Sequence, residues 1–104
     1  MTWVVIFKAR AKVLDASYSE TAKRMRAMAL NEYGCLGFDS CTEGDQEIAL
    51  SYWPDEDHIR RWKAAAEHLA AQTLGRQRWY ADYSVEVAQV VRHYAHATGD
   101  ATPP

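Results

Sequence analysis

Few side chains in this sequence can move a proton or hold an anion near neutral pH, and their types and spacing narrow the chemistry. The chain carries four histidines, at positions 58, 68, 93 and 96, and two cysteines, Cys35 and Cys41. His68 is the candidate base, because an imidazole with a pKa of about 6.5 exchanges protons at neutral pH; on one straight helix it projects ~140° from the Trp62 stripe, toward solvent, and only a break near Ala65 to Glu67 would reset the phase and turn it inward. His58, at the start of a helical segment, and His93 and His96 near the C-terminus read as exposed surface histidines. Arg76 follows Gly75. Its guanidinium suits a substrate oxygen or a developing oxyanion, and equally the carbonyls of a helix end or a neighbouring acid. Trp62 shares a helical stripe with Ile59, Ala66, Leu69 and Thr73 and therefore points at whatever the helix packs on, as a pocket wall or as plain core. Tyr52, Tyr83 and Arg92 fall in strand-like runs and line either a cavity or a subunit seam, which alternation alone does not separate.

Several chemistries are excluded. There is no Cys-x-x-Cys, no His-x-x-x-His and no Gly-x-Ser-x-Gly, so a metal knuckle and the usual serine nucleophile lack their frames. A dinucleotide fingerprint is absent too, so a nicotinamide or flavin would find no phosphate cradle. Six positions apart along one extended run, Cys35 and Cys41 would sit ~20 Å from each other, too far for a disulfide, and both are expected as free, buried or semi-buried thiols. A net charge of −2, from 12 basic and 14 acidic residues, gives no field for a phosphate backbone. No apolar run approaches the ~20 residues that span a bilayer, and no leader pattern opens the chain, so the expected location is cytoplasmic.

The elements that must position these residues are legible in the patterning. Thr2 to Ala11 is β-branched and aromatic, with Val4 and Ile6 on one face and Trp3, Val5 and Phe7 on the other. Ser17 and Glu20 form a capping box, and Tyr18, Thr21 or Ala22, Met25, and Met28 or Ala29 recur at helical spacing up to Tyr33-Gly34. Cys35 to Glu43 and Glu47 to Trp53 read as strands joined by a Gly44-Asp45 turn. Pro54 suits a first helical position, Asp55, Glu56 and Asp57 favour a helix N-terminus, and the helix runs to Leu74 before Gly75, with room for a short extra turn over Arg76 to Tyr80. Tyr83 to Tyr94 is the last strand. The small, polar and proline residues from 95 to 104 bury almost nothing and are expected to be a disordered tail.

Strand, helix, strand, strand, helix, strand suits one α+β domain, a ferredoxin-like βαββαβ fold with an antiparallel sheet and both helices on one side. Two helices cover only one side of such a sheet, yet the first and last strands carry apolar residues on both. A second copy of the chain, stacked sheet to sheet as a homodimer, would cover the other.

Gly34-Cys35-Leu36-Gly37-Phe38 resembles the "PGCLGY"-like opening of the second strand in antibiotic biosynthesis monooxygenase domains, with Tyr33 in place of the usual proline. Trp53-Pro54-Asp55-Glu56 is similar to that family's "W-x-[DS]-x-E" entry into the second helix. Trp62, Glu67-His68, Gln72, Gly75-Arg76 and Tyr83 resemble a pattern of one branch, and the likeness spans residues 2 to 94. It implies a dimeric α/β barrel with a ligand cavity between sheet and helices in each subunit. It further implies a monooxygenase without cofactor or metal that oxidises an electron-rich aromatic such as a phenol, anthrone or hydroquinone. His68 and Arg76 would be its catalytic groups, with Trp62, Tyr52, Tyr83 and Gln72 against the substrate. Haem-degrading relatives carry an asparagine in the first strand and a ligating histidine about ten residues beyond the tryptophan. Phe7 and Gln72 stand nearest those places, and neither can do that work. The same scaffold also accommodates a non-catalytic or stress-related dimer that only holds a small apolar molecule.

Overall fold

The computed structural model describes residues 1–12, 16–72 and 80–97, without the side chains of Ser17 and residues 68–72. Its elements are β1 (Thr2–Ala11), α1 (Ala16–Glu32), β2 (Gly37–Glu43), β3 (Gln46–Trp53), α2 (Glu56–Gln72) and β4 (Tyr80–Val90). The strands form one antiparallel sheet in the order β2-β3-β1-β4. Both helices lie on one face of it, where Trp62 of α2 meets Phe38 and Trp53 while Tyr18 of α1 meets Tyr80. This is the ferredoxin-like α+β fold expected from the element order.

The register assigns the faces. Toward the helices point Trp3, Val5, Phe7 and Ala9 of β1, with Trp53, Ser51, Ala49 and Glu47 beside them on β3 and Gln89, Val87, Val85 and Tyr83 on β4. The other face carries Val4 and Ile6, flanked by Tyr52, Leu50 and Ile48 on one side and by Ala88 and Glu86 on the other. Nothing in the chain covers this second apolar stripe among the described residues. Its polar end is marked by Arg10 and Asp82, directly opposed on β1 and β4 and joined by two hydrogen bonds of 2.6 and 3.0 Å.

Strand ends differ from the sequence reading for local reasons. β4 starts at Tyr80 rather than Tyr83, because Ala11 extends the pairing past a bulge after Arg10. It stops at Val90 rather than Tyr94, because Val90 already faces Thr2, the first residue of β1, and the chain beyond has no strand to pair with. β2 opens at Gly37 rather than Cys35, since the Cys35 N–H is taken by the Ala29 carbonyl at the end of α1 (2.9 Å). There the chain turns through Gly34 at φ 81°, a left-handed conformation that suits glycine. α1 begins at Ala16, so Ser17 lies inside the first turn rather than at the N-cap. α2 begins at Glu56, and Asp55, not Pro54, closes its N-terminus by accepting the His58 N–H at 2.9 Å.

The core gathers Val5, Ala29, Cys35, Trp53 and Ile59, with Trp3, Tyr33, Phe38 and Trp62 packed around them. Trp53 is wholly buried and donates its indole N–H to Ser51 Oγ at 2.9 Å, which satisfies the one polar atom the ring brings inside. Both thiols are free; Cys35 is buried, but Cys41 is exposed, contrary to expectation, because it sits on the open face of β2. Burial pushes the Cys35 thiol pKa up against two opposing backbone hydrogen bonds. No described helix is long and apolar enough to cross a membrane. The extra turn proposed before Tyr80 and the tail from residue 98 lie outside the described residues.

Candidate functional site

The helix-facing side of the sheet is stepped, and the step makes a cavity. Across the sheet the register sets Tyr83, Ala9, Glu47 and Thr42 in one row, Val85, Phe7, Ala49 and Ser40 in the next, and Val87, Val5, Ser51 and Phe38 in a third. Ala9, Ala49, Ser40 and Ser51 are too small to fill the space beneath α1 and α2, while Phe7, Phe38 and Val85 stand up around them. The result is a mainly apolar cavity of about 340 Å³, within the ~300–1,000 Å³ of small-molecule sites. Tyr18, Thr21, Ala22 and Met25 of α1 and Ile59, Trp62 and Ala66 of α2 form its roof.

Aromatic rings flank both ends. At one, Phe7 lies 5.4 Å from Tyr80 and 5.9 Å from Tyr83 between ring centroids, and the Tyr80 hydroxyl donates to that of Tyr18 at 3.3 Å. At the other, the Trp62 ring lies 5.4 Å from Trp53 and 6.3 Å from Phe38. Trp62 also donates its indole N–H to the Met25 carbonyl at 3.2 Å, tying α2 to α1. It is thus a wall of the cavity and a structural strut at once, so the two roles left open in the sequence coincide.

Five charged side chains belong to this lining among the described residues. Lys23 and Arg26 of α1 and Lys63 and Glu67 of α2 line it from the helix side, the Arg26 guanidinium lying 5.9 Å from the centre of the Phe38 ring. On the floor, Glu47 is half-buried, and its Oε2 is shut off from solvent with no hydrogen-bond partner among the described residues. Burial raises its pKa, and no described group offsets this with a hydrogen bond to Oε2.

Of the residues singled out in the sequence, the structure brings Trp62 and Tyr83 to this cavity. Tyr52 does not reach it. Paired with Val4 and Gly37, it faces the opposite side of the sheet, because it is one residue out of phase with Ser51 and Trp53. His68 and Gln72 lie on α2, which runs unbroken from Glu56 to Gln72, so the break that would have reset the phase of His68 is absent. Their side chains, and all of Arg76, fall outside the described residues. Arg92, His93 and His96 lie exposed beyond β4. His58 is half-buried rather than exposed: its Nδ1 is 2.6 Å from Asp55 Oδ1, and its ring packs on Gly34, where a Cβ would come within 2.8 Å of it. No cluster of three or more metal-ligating groups occurs among the described residues. Glu47 was missed because a charged residue next to the apolar Ile48, Leu50 and Tyr52 reads as solvent-facing.

Residues 4–74 match the sequence model of the antibiotic biosynthesis monooxygenase family. The chain belongs to that family. It is 42% identical over 91 residues to YqjZ of Bacillus subtilis (strain 168), an uncharacterised protein, covering 86% of this chain and 80% of that one. It is 32% identical over 92 residues to a jasmonate monooxygenase of Pyricularia oryzae, covering 85% of this chain and 43% of that longer one. Among solved structures, SnoaB, a cofactor-independent oxygenase from Streptomyces nogalater, superposes with a TM-score of 0.73 at 14% identity over 91% of this chain and 98% of its own. A conserved protein from Methanosarcina mazei Go1 gives 0.71 at 14% identity, over 86% and 92% of the two chains. At such identities the structural likeness speaks for the fold.

Proposed function

We propose that the chain is a cofactor-independent monooxygenase that oxidises an electron-rich aromatic compound, a phenol, anthrone or hydroquinone, with dioxygen. The observation that carries this reading is the cavity: apolar, walled at both ends by aromatic rings, sized for a small aromatic molecule, and fitted with one carboxyl group on its floor. Family membership, the relative named as a jasmonate monooxygenase and the oxygenase with the same fold all support it.

The chemistry needs little from the protein. Removing a proton from an anthrone leaves a delocalised carbanion that passes one electron to dioxygen. The resulting radical and superoxide combine to a peroxide, the O–O bond breaks with loss of the second benzylic hydrogen, and water leaves behind the carbonyl of a quinone. Overall, one molecule of anthrone and one of dioxygen give one anthraquinone and one water. The protein's part is to hold the ring in an apolar site, accept the proton and stabilise the developing anion. Trp62 and Tyr83 serve as walls, Arg26, Lys23 and Lys63 provide positive charge, and His68, Gln72 and Arg76 are further proposed participants, carried by the family resemblance.

The pair of chains belongs to the same proposal. Val4, Ile6, Ile48, Leu50 and Ala88 form an apolar stripe that a second sheet would cover, and Tyr52 would then stand in the seam rather than in the cavity. Dioxygen uptake by chelator-treated protein across a panel of anthrones and hydroquinones tests the reaction. Uptake above the buffer rate, with a quinone as product, is expected; a buffer rate throughout would leave a protein that only binds its ligand.

A further inference from the structure

Glu47 is out of place on ordinary folding grounds. It occupies the helix-facing side of β3, in line with Ala49, Ser51 and the wholly buried Trp53, where a carboxylate costs desolvation and finds no compensating donor among the described residues. Glutamine or threonine would fit that strand position without the charge. Among the described residues, the titratable groups facing the same cavity are Tyr18, Lys23 and Arg26 from α1, Lys63 and Glu67 from α2, and Tyr80 and Tyr83 from β4, while β1 and β2 contribute only Phe7, Val5, Phe38 and Ser40. Ala9 and Thr42 flank Glu47 across the sheet and bring no charge. The Glu47 carboxyl group thus lies on the floor of the volume that a ligand would fill.

We propose that Glu47 is the cavity's proton acceptor, taking a hydroxyl or benzylic proton from the aromatic ligand. This rests on the oxygenase reading for its chemistry, though its test does not. The O–H or C–H bond of the ligand breaks, the electron pair stays on the ligand as phenolate or carbanion, and the proton forms a new O–H bond on Glu47. After dioxygen has taken the electrons and the peroxide has formed, that proton leaves with the departing hydroxide as water. Burial makes this carboxylate a stronger base than an exposed one, which narrows the gap to a phenol with a pKa of about 10. Lys23, Arg26 and Lys63 supply the field that keeps the resulting anion bound.

The test is binding of 2-naphthol with dioxygen excluded, followed by the phenolate absorbance band as pH is raised through the phenol range. With Glu47 ionised beside it, the bound phenol should resist ionisation. Glu47→Gln, nearly the same shape without the charge, should raise the phenolate-to-phenol ratio at a given pH by about tenfold or more. Glu32→Gln, an exposed change on α1 away from the cavity, should not. In aerobic turnover Glu47→Gln should lose about 10²–10⁴ in rate, with partial return in Glu47→Asp. Equal ionisation of the ligand in wild type and a folded Glu47→Gln, or no binding by the wild type, overturns the proposal. Should the absorbance shift appear while wild type consumes no dioxygen, the oxygenase reading fails and Glu47 stands as acceptor. Turnover with no absorbance shift gives the reverse. Loss of a desolvated charge should leave Glu47→Gln at least as stable as wild type, and Glu47→Asp supplies a second folded comparison.

Discussion

Replacing Trp62 separates its two duties, because each draws on different contacts. In Trp62→Phe the cavity keeps an aromatic wall but α2 loses its hydrogen bond to the Met25 carbonyl. Met25 lies inside α1, so its carbonyl keeps a helical environment, and the loss should be about 1 kcal/mol, that of a single hydrogen bond. Trp62→Ala removes the bond, the ring contacts with Trp53 and Phe38, and the volume between the helices. A fully buried tryptophan cut to alanine costs ~3–5 kcal/mol; Trp62 is half-buried, so about 2–4 kcal/mol is expected. Urea unfolding should show the midpoint falling in that order with the slope unchanged. Ligand binding should follow a different pattern, nearly kept in Trp62→Phe and greatly weakened in Trp62→Ala. An alanine variant less than about 1 kcal/mol below wild type would refute the strut. One that bound 2-naphthol normally would refute the wall.

Gly34→Ala should be destabilising twice over, by ~1–2 kcal/mol for a left-handed backbone and further because its Cβ meets the His58 ring at 2.8 Å. In a His58→Ala background only the backbone part should remain, which a double-mutant cycle in urea measures. Asp55 is held below its usual pKa of 3.8, first by the hydrogen bond from the His58 side chain and then by that from its backbone. A depressed carboxyl stabilises the fold above its unfolded pKa and loses that contribution as pH falls through its folded value, so acid unfolding should begin at higher pH in Asp55→Ala. Ile6→Glu, on the open sheet face, should turn a sedimenting dimer into a folded monomer; a dimer unchanged by it would place the seam elsewhere.

How far the sequence could be read follows from which signals are local. Helical spacing in α1 was reliable, since Tyr18, Thr21 and Ala29 are buried as their periodicity implies. The two apolar faces of β1 were equally plain. Strand ends were less so, because β4 stops where β1 runs out of partners, a pairing invisible in β4 itself. β3 misled most. Its more apolar stripe, Ile48, Leu50 and Tyr52, faces away from the helices, while Glu47, Ala49 and Ser51 floor the cavity. Alternation normally turns the apolar stripe toward the core. Here both stripes are destined for an interior if a second sheet covers the open face, so polarity alone does not tell cavity from seam; only the register sets Tyr52 on the open face and Glu47 in the cavity.

The fate of dioxygen itself tests the proposed oxygenation most directly. Metal-stripped protein would be incubated with an anthrone under isotopically labelled dioxygen and the product weighed by mass spectrometry. One labelled oxygen atom is expected in the quinone carbonyl and the other in water, at a rate that falls in Glu47→Gln and Trp62→Ala. Unlabelled product, or labelled product formed no faster than in buffer, would contradict the proposed oxygenation.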